Sequence, residues 1–209
     1  MLTGQELYLW ERAGYFIHRN KLVHQEISLI DSLDRINIKS ALLLLGIPEV
    51  LETLIDLHPE MRLVRISCYD QSVNQPHVSL PEVHDLFHLA NISKMPAEKD
   101  SLILRIAILT DECLQVLPGS HCSPVHAEAY QEISIQGAKN EIPVRLKPGD
   151  FVCFHANLDH HDEVSENSPR KTLEYKFFPF YGEPLMDSCA PPFEAPRSLY
   201  RFFGGMNDG

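Results

Sequence analysis

Hydrophobic residues recur at helical spacing through the first sixty positions of the chain. The stretch TGQELYLWERAG begins with Thr3 and Glu6 at the spacing of a capping box, and Gly14 is placed to end a short helix. Apolar residues at three- and four-residue steps predict two further amphipathic helices, from Leu22 to about Leu33 and from Glu49 to Leu57. The N-terminal part is therefore expected to be mainly helical, with an extended YFIH segment after the first helix.

After position 60 the pattern changes to short runs of β-branched and aromatic residues bounded by Pro, Gly, Asn and Asp. Five such runs predict strands: MRLVRISCY, SLILRIAILT, IPVRL, DFVCFHANL and TLEYKFFPF. Helices followed by strands predict an α+β fold whose second part is a β-sandwich or barrel. We expect one domain over residues 1–209, with a mainly helical part at 1–60, a β core at 61–182 and an irregular tail at 183–209.

Composition narrows the class of partner. The chain has 18 Lys and Arg against 29 Asp and Glu, a net charge of -11, which argues against nucleic acid or an anionic membrane as a partner. Five Cys without a C-x-x-C spacing indicate reduced thiols. The N-terminus lacks a secretory pattern, and no run approaches 18 uncharged apolar residues. We therefore expect a cytoplasmic protein, while its oligomeric state has no sequence signal.

Two segments carry candidate chemistry. In VHDLFHLAN a strand would place His84, His88 and Ala90 on one face. In KPGDFVCFHANLDHH a single strand is predicted to carry His160 on the same face as Phe154, Ala156 and Leu158, and the next strand carries Arg170 and Thr172 on one face. Neutral imidazole is a good ligand for Fe(II), and guanidinium pairs with carboxylates. Together they could hold a metal beside an organic acid.

Over residues 1–180 the chain resembles the phytanoyl-CoA dioxygenase-like Fe(II)/2-oxoglutarate oxygenases. LTGQELYLWERAGYFIHRNKL is similar to the family's first helix and strand, and LILRIAILTDECLQVLPGSH to its central strand pair. GDFVCFHANLDHH is similar to the strand with the distal metal histidine, and the spacing from Gly149 selects His160 over His161. ENSPRKTLEY is similar to the strand whose arginine, here Arg170, grips 2-oxoglutarate with help from Thr172.

The resemblance implies a double-stranded β-helix (jelly-roll, cupin-like) core, Fe(II) and 2-oxoglutarate as cofactors, and oxidation of an aliphatic C–H bond. The family's His-x-Asp pair, counted back from Asp100, falls on His88 and Ala90, so the usual carboxylate ligand is absent. Three interpretations stay open. A chloride could fill the position beside Ala90, as in the related halogenases; His84 could be a third nitrogen ligand, as in three-histidine cupin-type dioxygenases; or the site could have decayed to a non-catalytic binding protein.

Arg105 lies in the middle of the strand LILRIAIL, where an unpaired charge would be costly. Two placements are compatible with the sequence. Arg105 could point into the barrel and meet an anionic group of the substrate or of 2-oxoglutarate, or it could extend along the strand edge to solvent. His121, His126 and His155 could donate hydrogen bonds to the site residues, but each taken alone fits a structural or exposed position better.

Overall fold

The structure is a computed structural model, and it describes residues 1–22, 27–28, 38–58, 61–70, 78–79, 101–122, 140–163 and 170–179. The α-helices whose bounds fall within the described residues are α1 (Gly4–Ala13), α2 (Ile38–Leu45) and α3 (Pro48–Leu57). The strands are β1 (Tyr15–His18), β2 (Met61–Asp70), β3 (Val78–Ser79), β4 (Leu102–Ala107), β5 (Asp111–Val116), β6 (Ile142–Leu146), β7 (Phe151–His155), β8 (His160–Asp162) and β9 (Lys171–Pro179). A 3-10 turn spans Ser120–Cys122. Among the described helices, none is long and apolar enough to cross a membrane.

The strands form two antiparallel sheets. The larger has the order β1-β7-β4-β9-β2-β3, and the smaller has the order β6-β5-β8. Consecutive strands β4 and β5 belong to different sheets, as do β7 and β8, so the chain crosses repeatedly between the two layers. The predicted α+β class is confirmed, and all five predicted strand runs form strands.

Two hydrophobic clusters stabilise the packing of the helices and the two sheets. On one face of the larger sheet, residues of β2, β4, β7 and β9 pack with buried side chains of α2 and α3. There the Tyr175 hydroxyl donates a 2.7 Å hydrogen bond to the Ala41 carbonyl and ties α2 to the sheet. The second cluster fills the space between the sheets, where Ile103 and Phe154 meet Leu114 and Val144. The candidate site described below lies in this space between the two sheets.

Helix α1 forms where the sequence predicts it, because its ends are specified locally. The Thr3 hydroxyl accepts from the Glu6 amide at 3.2 Å, and the Glu6 carboxylate accepts from the Thr3 amide at 2.7 Å. Gly14 ends the helix with φ 82°, a left-handed conformation that glycine adopts at little cost. Helix α2 was not predicted, because its run of consecutive apolar residues hides the helical period. Most of the helix predicted at 22–33 lies outside the described residues.

The prediction of one continuous strand up to His160 was wrong. Strand β7 ends at His155, whose carbonyl accepts from the Leu158 amide at 3.0 Å in a tight turn. The chain then enters β8, which pairs with β5 in the other sheet. His160 therefore belongs to the smaller sheet, and a turn of Ala156 to Asp159 makes the crossing.

Candidate active site

A layer of charged side chains lies between the two sheets. It consists of Arg105, Asp111, Asp162, Arg170 and Glu174. The larger sheet and its flank contribute both arginines and Glu174, while the smaller sheet contributes both aspartates. We call this set the inner charged layer. Because all five side chains are buried or half-buried, their charges must be balanced by one another rather than by bulk water.

Arg105 points into the barrel, which decides between its two predicted placements. Its Nη1 donates to Asp162 Oδ1 at 2.7 Å, and its Nη2 and Nε donate to Glu174 Oε2 at 2.8 and 3.2 Å. Asp111 Oδ2 is 3.7 Å from the same Nη1. Burial alone lowers the pKa of Arg105, but the carboxylates of Glu174 and Asp162 outweigh burial and raise it. Arg105 is thus a permanent cation that already has protein partners.

Arg170 is also buried, with its side chain 3% exposed. Its Nη2 donates to Asp162 Oδ2 at 3.1 Å, and its Nε lies 3.3 Å from Asp111 Oδ1 without the alignment of a hydrogen bond. Its guanidinium lies over the ring of Tyr69, with the central carbon 4.6 Å from the ring centroid. Burial, and next the charge of Glu174, raise the pKa of Tyr69, so the phenol stays neutral beneath the arginine.

Thr172 lies opposite Tyr69 on β2 and Ala107 on β4. Its hydroxyl is buried, and within the described part of the chain it has no hydrogen-bond partner. A buried hydroxyl without a partner costs about 1–3 kcal/mol, so its retention calls for a function. Beside a buried guanidinium, an unsatisfied hydroxyl is suited to donate to a bound carboxylate.

His160 begins β8 opposite Val116 and is exposed. Its Nδ1 is 2.6 Å from the Leu158 carbonyl, so Nδ1 carries the proton that it donates there. In a neutral ring this leaves the lone pair on Nε2, the atom that metals bind, and such bonds commonly orient metal-binding histidines. His161 instead approaches Glu141, with its Nδ1 3.5 Å from the carboxylate. The geometry fits His160 as one ligand of a metal.

The predicted ligands His88 and His84 and the predicted open position at Ala90 lie outside the described residues, as does His126. Within the residues that are described, no group of three His, Cys, Asp or Glu side chains could hold a metal ion. The described chain therefore supplies one fitting imidazole, a buried arginine and an unsatisfied hydroxyl. These groups fit Fe(II) and a dicarboxylate, with the difference that Arg170 already has carboxylate partners.

His121 and His155 lie together away from the inner charged layer. His155 stacks on Trp10 at 3.8 Å between ring centroids, and His121 stacks on His155 at 4.7 Å. Burial, and next the nearby His121, lower the pKa of His155 to about 4. These histidines connect α1 to the turn at Ser120–Cys122, which is a structural role.

Sequence reasoning missed the acidic members of the layer: Asp111, Asp162 and Glu174. The alternation of side chains along a strand could have revealed two of them. Asp162 lies on the same strand face as His160, and Glu174 lies on the same strand face as Thr172. Asp111 had no such signal, since it meets the arginines only when the two sheets pack together. Tyr69 likewise reaches Arg170 only through the pairing of β2 with β9.

Comparison with known proteins agrees with this geometry. The family model "Phytanoyl-CoA dioxygenase (PhyH)" matches residues 64–164. Residues 64–164, just under half of the chain, are thus similar to this family. That match confirms the family resemblance and, with it, the prediction of an enzyme of the Fe(II)/2-oxoglutarate-dependent class. No curated protein sequence matches the chain significantly.

Solved structures show the fold of this chain. Iron-bound HygX from Streptomyces hygroscopicus is 13% identical, with a TM-score of 0.59 over 87% of this chain and 88% of that one. SnoN, a non-heme alpha ketoglutarate dependent epimerase from nogalamycin biosynthesis, is 15% identical, with a TM-score of 0.56 over 84% and 81%. EctD from S. alaskensis, solved with 2-oxoglutarate and 5-hydroxyectoine, is 15% identical, with a TM-score of 0.53 over 84% and 76%. The predicted jelly-roll fold is confirmed.

Proposed function

We propose that the protein is a non-haem Fe(II)/2-oxoglutarate-dependent oxidoreductase that acts on an aliphatic C–H bond of a small molecule. The observation that supports the proposal is that the buried Arg170 and Thr172 lie on the inner face of the larger sheet, while His160 lies at the exposed start of β8 on the strand face of Asp162. The edge of the His160 ring lies against Phe154 of the inter-sheet cluster, with centroids 4.9 Å apart. Arg170 meets Asp162, which shares the strand face of His160.

Each residue has one role in this proposal. His160, through Nε2, and His88 hold the iron, while Arg170 and the Thr172 hydroxyl bind the distal carboxylate of 2-oxoglutarate. Iron, 2-oxoglutarate and oxygen supply the oxidising chemistry when bound. The protein orients the co-substrate and excludes water by enclosing it between two sheets. Solved structures of similar fold include HygX with nickel, 2-oxoglutarate and hygromycin B, which supports a small-molecule substrate here.

The outcome of the oxidation depends on the position of Ala90. With no carboxylate there, a chloride that completes the metal shell would lead to halogenation, whereas water in that position would lead to hydroxylation. The similar folds include an epimerase and a carbocyclase, so this architecture serves several outcomes. We propose the open position at Ala90 as the feature that distinguishes this chain from relatives with His-x-Asp.

Anaerobic titration with Fe(II) and 2-oxoglutarate tests the assignment through the metal-to-ligand charge-transfer absorption. His160→Ala should abolish the absorption band, whereas His161→Ala, the matched control on the opposite strand face, should keep it. Arg170→Ala should weaken 2-oxoglutarate binding by about tenfold or more, because it removes the charge-assisted partner of the distal carboxylate. Lys176→Ala, which removes a half-buried cation from the same strand, should not. Unchanged titrations in both His160→Ala and Arg170→Ala would refute the proposal.

A further inference from the structure

We infer that Asp162 occupies the place on Arg170 that the distal carboxylate of 2-oxoglutarate takes, and that it thereby sets the affinity for the co-substrate. The inference rests on the proposed function. Asp162 bridges the two arginines: Oδ1 accepts from Arg105 Nη1 at 2.7 Å, while Oδ2 accepts from Arg170 Nη2 at 3.1 Å and more weakly from Arg105 Nη2 at 3.3 Å. Asp162 is thus an internal carboxylate bound where an external one is expected.

Charge counting makes simultaneous binding unfavourable. The inner charged layer contains two guanidinium groups and three carboxylates, a formal excess of one negative charge. A further carboxylate added at Arg170 would raise that excess to two inside a sandwich with little water to screen it. If the incoming carboxylate displaces Asp162, the count stays the same. Exchange is therefore favoured over addition.

Among the three carboxylates, Asp162 is the one that can leave. It is the last residue of the three-residue strand β8, and its side chain keeps 22% exposure, so a rotation can return its carboxylate to water. Asp111 is fully buried and accepts a 3.0 Å hydrogen bond from the Cys113 amide. Glu174 lies in the middle of β9. Of the two arginines, it contacts only Arg105.

Thr172 gives independent support for an incoming ligand. Asp162 satisfies one arm of Arg170 but not the neighbouring buried hydroxyl, which has no partner in the described part of the chain. An incoming carboxylate that accepted from both Arg170 and Thr172 would gain a hydrogen bond that Asp162 does not make. This gain offsets part of the cost of displacing Asp162.

The test measures the dissociation constant of 2-oxoglutarate with Fe(II) under anaerobic conditions, by charge-transfer absorption and by the shift in melting temperature. Asp162→Asn should bind 2-oxoglutarate about tenfold or more tightly than the wild type, since it removes the competing charge and keeps the side-chain volume. Glu174→Gln is the control, because it removes one carboxylate of the same layer that does not touch Arg170. Its dissociation constant should change much less.

Several outcomes would overturn the inference. Unchanged or weaker binding in Asp162→Asn contradicts it while leaving the proposed function standing. Equal tightening in Glu174→Gln would assign the effect to the general field of the layer. Absence of binding in the wild type and in both variants would contradict the proposed function as well.

A measurement on the wild type alone guards against a variant that does not fold. 2-Oxovalerate replaces the distal carboxylate of 2-oxoglutarate with a methyl group. If Asp162 competes, the wild type should prefer 2-oxoglutarate over 2-oxovalerate by only about tenfold, because much of the ion-pair energy is spent on displacement. A preference of about a thousandfold or more would overturn the inference, since it would require an Arg170 that is free to pair.

Discussion

Arg105 and Glu174 are directly opposed in the ladder between β4 and β9, and two nitrogens of the arginine donate to one oxygen of the glutamate. The pair lies on the inner face of the larger sheet, where the Arg105 side chain is buried and the Glu174 side chain is half-buried. Arg105 is also the residue that touches all three carboxylates of the inner charged layer. It is therefore the centre of charge balance inside the barrel.

Arg105→Ala should destabilise the protein by about 3–5 kcal/mol, because it leaves buried carboxylates without their main cation. Arg19→Ala is the matched control: Arg19 also pairs with a buried carboxylate, Asp150 at 2.7 Å, but its own side chain is 49% exposed. The control should lose about 1 kcal/mol or less, because Asp150 keeps hydrogen bonds from the backbone amides of Asn20 and Lys147. Urea denaturation measures both, and equal losses would show that the inner charged layer does not depend on Arg105.

Gly14→Ala should destabilise the protein by about 2–4 kcal/mol. The residue has φ 82°, and an added Cβ would meet the His121 ring and lie 2.9 Å from Leu158 Cδ1. Gly4→Ala is the control, since a Cβ there would have no atom within 4 Å and alanine favours the helix. Melting temperatures should fall for Gly14→Ala and stay equal or rise for Gly4→Ala. A neutral Gly14→Ala would mean that α1 is not docked on the His121 turn.

His155 should make stability depend on pH between about 6.5 and 4. Its pKa is lowered from 6.5 to about 4 in the folded protein, so the unfolded chain binds the proton first as the pH falls. Stability is therefore fully present above the unfolded pKa, declines through this window and levels off below the folded value. The loss should be about 1–3 kcal/mol, allowing for partial exposure.

The variant His155→Phe keeps an aromatic ring against Trp10 and removes the titration. Its free energy of unfolding, measured in urea at pH 7, 5.5 and 4, should fall less steeply than that of the wild type. His161→Phe, which replaces a half-exposed histidine, controls for the loss of one imidazole. A wild-type slope in His155→Phe would contradict the assignment.

Chloride should tighten 2-oxoglutarate binding and shift the charge-transfer band if the position of Ala90 is open, because two ligands of one metal are reciprocally coupled. Ala90→Asp should abolish the chloride effect by placing a carboxylate in that position. If His84 is the third ligand instead, chloride should have little effect, and His84→Ala should lose as much iron affinity as His88→Ala. Equal losses without chloride dependence would replace the open position with a three-histidine site.

The parts of the fold that the sequence predicted are those specified by neighbouring residues. Helix α1 has its cap at Thr3 and its end at Gly14, and β9 follows from its aromatic and β-branched composition. The turn after His155 was missed because backbone hydrogen bonds, rather than a Gly or Pro, make it. Local patterns cannot reveal such a turn.

The candidate site likewise contains residues that the sequence predicted and residues that it did not. Arg170 and Thr172 could be selected from spacing along one strand, and the family resemblance assigned them a role. The carboxylates around Arg170 could not be predicted, because Asp111 and Asp162 reach it from the other sheet. The assignments of His84, His88 and Ala90 stay predictions, since these residues lie outside the described part of the chain.

The order of the larger sheet has a consequence for synthesis of the protein on the ribosome. Strand β9, the last described strand along the chain, lies between β4 and β2, both of which are made much earlier. Until β9 emerges, β4 and β2 each expose a free hydrogen-bonding edge to other chains. A nascent chain interrupted before Lys171 would therefore carry two unpaired edges in the middle of its sheet instead of a smaller version of the fold.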